Sequence, residues 1–386
     1  MVNEMMKVIR NKVARGERVT REEGLYLLRE APLLELAPLA MAWRYRHNPE
    51  RRVTFVIDTN LNYTNVCDAY CAFCAFYRTP GQEGEYTYTV EQMMSQFERA
   101  RDMGCTTVLL QGGLNDTLPL DYYLDLVRET RRRFPEIHAH FYSAPEIQKV
   151  AQVSGLSLVE VFDRLREAGL RTIPGGGAEI LSDHVKAQIS RLWPKATTAD
   201  WLDVHRAAHH VGLRSTATMM YGHVETDEDV IDHLEAVRRL QDDTGGFTAF
   251  IPWSYKRDNS PLSRKILVEA GPNRYLRIIA LARIYLDNIV HIQASWFSEG
   301  KKTGVVALGF GADDFGGTIF DENVMQEAGH YNRTTVDEIK ALIHDAGFAP
   351  AQRTTLYDII REFPNASFPI TKPPSGGRRS QPEVRS

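Results

Sequence analysis

Short β-rich runs alternate with amphipathic helical patterns through the middle of the chain. Eight such runs lie between residues 53 and 315, and they read VTFVIDTN, TTVLLQGG, IHAHFYS, LRTIPGG, LRSTATMMYG, GFTAFIPWSY, HIQASW and VVALGFGADDF. Between them, apolar residues recur at helical spacing, as at Met93, Phe97 and Ala100, which indicates helices with one buried face. This alternation predicts an α/β fold, a parallel (β/α)8 barrel of the TIM type, formed as one domain.

The last two predicted strands fit this pattern less well than the others. Only residues 297–304 separate HIQASW from VVALGFG, whereas a complete crossover connection needs about a dozen residues or more. Either the final units of the barrel are irregular, or one of these two runs is not a strand.

Two segments flank the predicted barrel, which we assign to residues 51–363. Residues 1–50 place Thr20 and Glu23 ahead of an apolar helical pattern. That spacing is typical of a helix-capping box, so we predict a helical extension packed against the barrel. Residues 364–386 contain the run TKPPSGGRRSQPEVRS, which has few apolar side chains to bury and therefore predicts a disordered C-terminal tail.

The composition narrows the functional classes. The chain has 386 residues, 43% hydrophobic and 25% charged, which is typical of a globular protein. Its net charge of −4 gives no basic excess, so we expect no nucleic-acid partner. No apolar run approaches the roughly 18 to 20 residues of a membrane span, so we expect no membrane partner. The start MVNEMMKVIRNKVARG lacks the apolar region of a secretory signal, and we expect a cytoplasmic protein.

Three of the four cysteines, Cys67, Cys71 and Cys74, lie within one short run. In a reducing compartment such a cluster favours a metal site over disulfides. Thiolates bind zinc, copper(I) or iron–sulfur clusters. A structural zinc site needs four ligands, however, and no second Cys/His pair follows at a suitable spacing. Three thiolates after the first strand of a barrel favour a four-iron cluster with one iron open, with zinc or no metal at all as the alternatives.

The spacing C-x3-C-x2-C, with Phe73 just before the third cysteine, resembles the signature of the radical S-adenosylmethionine (radical SAM) enzymes. The resemblance implies a [4Fe–4S] cluster held by the three cysteines. It also implies that S-adenosylmethionine (SAM) binds the open iron and is cleaved to a 5′-deoxyadenosyl radical, with Phe73 supporting the adenine.

Other strand ends extend this resemblance to SAM binding. The second predicted strand ends in Gln111, Gly112 and Gly113, which resemble the glycine-rich SAM motif of the family. Leu114 stands where that motif often has glutamate, so only a backbone contact is implied. Glu179 in PGGGAEI and Lys195 lie where related barrels place a carboxylate and a basic group near SAM. Glu179 could instead stabilise the first turn of a helix.

Longer stretches carry a more particular resemblance. The runs NYTNVCDAYCAFCAFYR, QGGLNDTLPLDYY, PGGGAEI, ATMMYGHVET, FTAFIPWSY, HIQASW and GADDFGGTIFDENV resemble the menaquinone and deazaflavin branch of radical SAM enzymes. The resemblance implies a small-molecule substrate and an external one-electron reductant of the flavodoxin or ferredoxin type. It further implies cyclisation of dehypoxanthinyl futalosine in menaquinone biosynthesis. In that reaction the adenosyl radical takes the ribose C4′ hydrogen, and the carbon radical adds to the aryl ring.

Three alternatives remain open at this point. Aminofutalosine synthase and the second subunit of deazaflavin synthase belong to the same branch and share its architecture. An iron–sulfur protein without catalytic activity belongs to a different class, and it would need no SAM pocket.

Polar and aromatic side chains at the remaining strand ends are candidates for contact with the substrate. His223 in YGHVET could accept a proton, since the ordinary pKa of histidine lies near working pH, or it could simply fill the barrel mouth. Three aromatic residues could stack on the aryl ring: Trp253, Tyr255 and Trp296. Two acidic residues, Asp313 and Asp314, could bind the sugar hydroxyls. The aromatic residues could equally belong to the core or to a lid, and one of the acids could cap a turn.

Overall fold

The structure is a computed structural model that describes residues 2–192, 195–321 and 323–363. Its strands are β1 (Arg52–Val56), β2 (Asp58–Leu61), β3 (Thr107–Leu110), β4 (His138–Phe141), β5 (Thr172–Ile173), β6 (Arg214–Tyr221), β7 (Phe247–Ser254), β8 (His291–Ile292), β9 (Asp314–Gly317), β10 (Ala349–Arg353) and β11 (Ile359–Glu362). The predicted tail, residues 364–386, lies outside the described residues.

Helices fill the intervals between the strands and precede the first of them. They are α1 (Val2–Arg15), α2 (Arg21–Arg29), α3 (Leu33–His47), α4 (Val90–Asp102), α5 (Leu120–Arg133), α6 (Ala144–Ser154), α7 (Leu158–Ala168), α8 (Asp183–Gln188), α9 (Thr198–His210), α10 (Asp227–Thr244), α11 (Pro272–Tyr285), α12 (Trp296–Glu299), α13 (Lys301–Leu308), α14 (Asn323–Glu327) and α15 (Val336–Asp345). Across the described ranges, no helix is both long enough and apolar enough to cross a bilayer.

The strands curl into a parallel barrel, as predicted. One sheet runs in the order β2-β3-β4-β5-β6-β7-β8, and a second runs β11-β10-β1-β9. Ile57 alone separates β1 from β2, so the two behave as one interrupted strand. Its first half pairs in parallel with β9 and β10, and its second half pairs with β3. A bridge between Gln293 and Asp314 links the residue after β8 to β9. The first strand thus joins both sheets. Its carboxyl end leads directly into the loop that contains Cys67, Cys71 and Cys74, residues 62–78, which we call the cysteine loop.

The end of the barrel departs from the prediction. Residues 305–308, predicted to open the last strand, lie in α13, and the strand itself begins at Asp314. The apolar run VVAL suits a buried strand and a helix face equally, because so short a run has no decisive period. Strands β10 and β11 were not predicted, and β10 adds a parallel neighbour to β1.

The N-terminal helices pack against the side of the barrel that α10 and α11 form. Helix α2 begins at the predicted capping box, in which the Thr20 hydroxyl accepts from the Glu23 N–H and the Glu23 carboxylate accepts from the Thr20 N–H. The Arg44 side chain of α3 is buried and donates to the carbonyl of Arg52, at 2.7 Å. These contacts fasten the extension to the start of β1. The domain boundaries at residues 50 and 363 stay predictions.

Candidate active site

The loop after β2 brings three thiols into one apolar environment. Cys67 and Cys71 are buried, Cys74 is partly buried, and they pack with Ala69 and Leu114. Burial raises the pKa of Cys71 to about 12, so a thiolate there needs a compensating cation. Within the described residues, no three His, Cys, Asp or Glu side chains converge closely enough to hold a single metal ion. A larger cluster bridged by several irons suits these donors better than one zinc ion, whose ligands lie about 2.3 Å away.

Backbone hydrogen bonds hold this loop against its neighbours. The N–H of Cys67 donates to Arg78 O at 3.0 Å, and the N–H of Ala72 donates to Ile189 O at 2.8 Å. The N–H of Asp68 donates to Leu114 O at 3.2 Å, just beyond the glycines that follow β3. The thiols therefore sit on a loop fixed from several directions.

The glycines after β3 have a packing role that the sequence did not reveal. A Cβ at Gly113 would overlap the carbonyl oxygen of Val66, and a Cβ at Gly112 would lie 2.7 Å from the Tyr63 ring. Their N–H groups donate to Thr64 O and to the Glu146 carboxylate, each at 2.9 Å. Any backbone contact to a ligand must therefore come from carbonyl oxygens. A side chain at Gly113 would displace the cysteine loop as well as a bound molecule.

Phe73, Glu179 and Lys195, which were predicted from separate runs, meet beside the cysteines. Lys195 Nζ lies 2.7 Å from Glu179 Oε1 and 5.3 Å from the centre of the Phe73 ring. Burial alone would lower the pKa of Lys195, but the Glu179 carboxylate outweighs it and raises that pKa. Glu179 also has a left-handed backbone, with φ of 43°, an uncommon conformation for a residue other than glycine that often occurs at functional sites. The ion pair places a fixed polar group at the edge of the thiol cluster.

A cavity of about 270 Å³ occupies the barrel interior beneath this group. Of the predicted residues, Gln111, Glu179 and Trp253 line it. The glycines after β5 make room at its mouth, since a Cβ at Gly176 would overlap the Gln111 amide. The surface of its walls is largely apolar, but polar and charged side chains such as Asp58, His140 and Gln293 also line it. Pockets for small molecules typically combine the two.

His223, predicted to act as a base, is not among the residues that line this cavity. The side chain is 0% exposed. Its Nδ1 accepts from the Val224 N–H at 2.8 Å, and its Nε2 lies 3.0 Å from Met220 O, to which it donates in the matching tautomer. Nδ1 also lies 3.2 Å from Glu225 Oε2. All of these contacts are with residues 220–225, in and just after β6, and the role of His223 as a base stays a prediction.

Two of the predicted aromatic residues belong to the core. The side chain of Trp296 is fully buried, and its Nε1 donates to Gly317 O at 3.1 Å. Tyr255 is 1% exposed, and its hydroxyl bonds to Ser260 at 2.5 Å. Neither lines the cavity, so among the aromatic candidates only Trp253 reaches it.

Asp313 and Asp314, predicted to bind sugar hydroxyls, are both occupied by partners within the barrel. Asp313 is buried, forms an ion pair with Arg283 and lies 2.6 Å from His291 Nδ1. Asp314 is buried against Arg353, with Nε to Oδ2 at 2.5 Å. Both carboxylates lie where β9 begins, at the end opposite the cysteine loop, and they neutralise arginines of the barrel.

Two acidic residues near the site were missed by sequence reasoning. Glu146, at the start of α6, accepts hydrogen bonds from the Gly112 N–H and from the Tyr63 hydroxyl. Asp58 opens β2 and lines the cavity. An acid two residues after Val56, and therefore on the same face of the predicted strand VTFVIDTN, was the signal that could have identified Asp58.

Residues 61–237 match the Radical SAM superfamily, and residues 244–367 match the family described as CofH/MqnC C-terminal region. The chain is 41% identical to the cyclic dehypoxanthine futalosine synthase of Halalkalibacterium halodurans, over 92% of this chain and 95% of that protein. The chain belongs to the CofH/MqnC family of radical SAM enzymes. A second relative, the 5-amino-6-(D-ribitylamino)uracil–L-tyrosine 4-hydroxyphenyl transferase of Methanopyrus kandleri, is 40% identical over 81% of this chain and 85% of its own length.

Among solved structures, HydG, a maturase of the [FeFe]-hydrogenase, has the same fold, with a TM-score of 0.72 at 17% identity. The match covers 92% of this chain and 77% of HydG. In the radical SAM enzyme described here, the superfamily match spans the cysteine loop, the glycines and the Glu179–Lys195 pair. The cavity beneath them is completed by residues of the C-terminal match, such as Trp253 and Gln293.

Proposed function

We propose that the protein is a radical SAM cyclase that converts dehypoxanthinyl futalosine to its cyclic, spiro form in menaquinone biosynthesis. The observation that carries the proposal is the similarity, along nearly the whole chain, to a cyclic dehypoxanthine futalosine synthase. The barrel cavity beside the cysteine loop supports it, because substrate and radical must meet away from water.

The residues of the site divide this work between them. Cys67, Cys71 and Cys74 hold the cluster, which with SAM supplies the 5′-deoxyadenosyl radical. Phe73 and the ion pair of Glu179 with Lys195 hold SAM beside the three cysteines. The substrate lies in the cavity below, with Gln111 at the mouth and Trp253 along the aryl ring. The radical takes the C4′ hydrogen, and the resulting carbon radical closes onto the ring.

Isotope transfer tests the reaction. With SAM, a reductant and dehypoxanthinyl futalosine that carries deuterium at C4′, we expect one deuterium in the 5′-deoxyadenosine that forms, and a spiro product lighter by that deuterium and by one ring hydrogen. Anaerobic incubation followed by mass spectrometry measures both. Substrate labelled at C1′ is the matched control and should transfer nothing. Unlabelled deoxyadenosine from the C4′ substrate would refute the proposed abstraction.

Product analysis separates the alternatives. Aminofutalosine synthase and the deazaflavin synthase subunit also join SAM chemistry to an aromatic acceptor, but each forms a product of different mass. An iron–sulfur protein without catalysis would form no deoxyadenosine. Incubation with each candidate substrate in turn therefore assigns the enzyme, and conversion of dehypoxanthinyl futalosine alone supports the cyclase.

The reductant in this proposal is an acidic one-electron carrier protein of the flavodoxin or ferredoxin type. Its contact surface is a groove on the cysteine loop, lined by Cys74, Tyr77, Arg78 and Arg191 among others. Among the described residues, none that line the groove is acidic. Electron-transfer partners commonly meet over small areas and are steered by opposite charge. The protein works in the cytoplasm, where such carriers and reduced thiols occur.

Charge reversal at this groove should slow reduction by the carrier. We expect Arg191→Glu to lower the rate of cluster reduction by reduced flavodoxin about tenfold at low salt, because steering is lost. Stopped-flow absorbance of the cluster measures the rate. Arg99→Glu, on the exposed side of α4, is the matched control and should leave it unchanged. Dithionite should reduce all three proteins equally. Equal rates with flavodoxin would remove the groove from the proposal.

A further inference from the structure

The proposed cyclisation leaves one proton unassigned, and the cavity wall shows where it can go. Ring closure breaks a C–H bond at the attacked carbon of the aryl ring, and a base must receive that proton. His223 does not reach the cavity. The titratable side chains that line the cavity in the described part of the chain are Asp58, His140, Glu179, Arg353 and Tyr357.

Four of these five groups are poor proton acceptors at this position. Glu179 is committed to Lys195 beside the thiols, at 2.7 Å. Burial lowers the pKa of His140 to about 3, and its Nδ1 bonds to Thr172 Oγ1 at 2.7 Å. Arg353 holds its proton against Asp314, and burial keeps Tyr357 protonated by raising its pKa.

We propose that the carboxylate of Asp58 is the proton acceptor of the cyclisation. Asp58 opens β2 on the inward face of the barrel. One oxygen, Oδ1, accepts from the Ile319 N–H at 2.9 Å, which fixes the carboxylate in place. Across the cavity wall, Gly317 of β9 leaves space for it, since a Cβ there would overlap both carboxylate oxygens. Among the described residues no side chain donates to this carboxylate, which faces the cavity. Its other oxygen, Oδ2, is the one that receives the proton.

The step balances in atoms and electrons. The C4′ radical forms the new C–C bond, which leaves a ring radical with one hydrogen too many. The C–H bond at that carbon breaks, the proton forms an O–H bond on Asp58, and the remaining electron passes to a one-electron acceptor of the iron–sulfur class. Aromaticity of the ring is thereby restored.

The surroundings of Asp58 suit a base that works near neutral pH. Burial raises the pKa of Asp58 to about 6, so the carboxylate is largely ionised at pH 7 yet more basic than an exposed aspartate. The charged and titratable groups near it on surrounding elements are Arg353, Asp314, Asp321, His140, Tyr357 and Cys105. Arg353 favours the ionised form, and Asp314 opposes it.

The inference rests on the proposed function, and its test is separable from it. The measured quantity is the ratio of spiro product to 5′-deoxyadenosine, together with deuterium uptake from C4′-labelled substrate. In Asp58→Asn, which keeps the size of the side chain and the acceptor for Ile319, we expect normal deuterium uptake and spiro formation lowered by about 10²- to 10⁴-fold. Failure of deuterium transfer in the unaltered protein would instead refute the proposed function.

The pH dependence gives a second readout that needs no variant. In the unaltered protein the product ratio should fall as the pH drops through about 6, where Asp58 gains its proton. The Asn variant should show a low ratio that does not change with pH. Thermal unfolding confirms that the variant is folded, and removal of a buried charge should not lower its melting temperature. A ratio in the unaltered protein that is constant from pH 5 to 8, or a folded Asn variant with the unaltered ratio, would overturn the assignment.

Discussion

Replacement of Cys71 by alanine is expected to lower both iron content and SAM cleavage to background. The side chain is buried among the other two thiols of its loop, and a four-iron cluster held by three thiolates cannot lose one without exposing a second iron. Iron and sulfide analysis of anaerobically prepared protein measures the first effect. Mass spectrometry of 5′-deoxyadenosine measures the second.

The chain contains a matched control for this replacement. Cys105 is also a buried free cysteine, and burial raises its pKa to about 12 as it does for Cys71. It packs in the hydrophobic core just before β3, away from the cysteine loop. Cys105→Ala should therefore retain iron and cleave SAM normally. A Cys71 variant with full iron content and activity would contradict the assignment of the cluster to this loop.

The grouping of Phe73, Glu179 and Lys195 beside the cysteines could be predicted from the sequence. Phe73 follows β2, whereas Glu179 and Lys195 both lie between β5 and β6. Parallel strands of a barrel bring their carboxyl ends to one face. Their convergence at 2.7 to 5.3 Å therefore needed only the correct fold. The fold itself was predictable because strand and helix patterns alternate regularly from residue 53 to residue 296.

The surroundings of the other candidate residues could not be predicted, because a sequence pattern does not identify the partner of each side chain. Whether an acid at a strand end serves a ligand or the protein depends on a cation elsewhere in the chain. For Asp313 that cation is Arg283, a residue of α11. For His223 the neighbouring groups are the Met220 carbonyl, the Val224 N–H and the Glu225 carboxylate. Asp58 was overlooked for the converse reason, since its place in a strand suggested structure rather than chemistry.

The second large effect concerns stability. Asp313→Ala should lower the free energy of unfolding by about 3–5 kcal/mol, because it leaves the Arg283 guanidinium buried without its counter-ion. Arg283 is 0% exposed and Asp313 is 3% exposed. Asp313 also accepts from the Ile292 N–H at 2.8 Å and from the Asn48 side chain at 2.9 Å. Urea unfolding, followed by fluorescence, measures the loss.

Acid should have a related effect on the unaltered protein. Burial alone would raise the pKa of Asp313, but Arg283 and His291 hold it below its ordinary value. The stability that the carboxylate contributes is therefore complete above its unfolded pKa, near 3.9, and is lost as the pH falls below that. The Ala variant should lose less stability than the unaltered protein over the same acidic range.

An exposed ion pair provides the control for the Asp313 variant. Asp203 on α9 lies 2.6 Å from Arg206 but is 62% exposed, so Asp203→Ala should cost about 0–1 kcal/mol. Activity then distinguishes the two interpretations of Asp313. If Asp313 only stabilises the barrel, the folded Asp313→Ala variant should have an unchanged KM for the substrate, since Asp313 does not line the cavity. A raised KM with unchanged unfolding free energy would restore Asp313 to the binding site for the sugar.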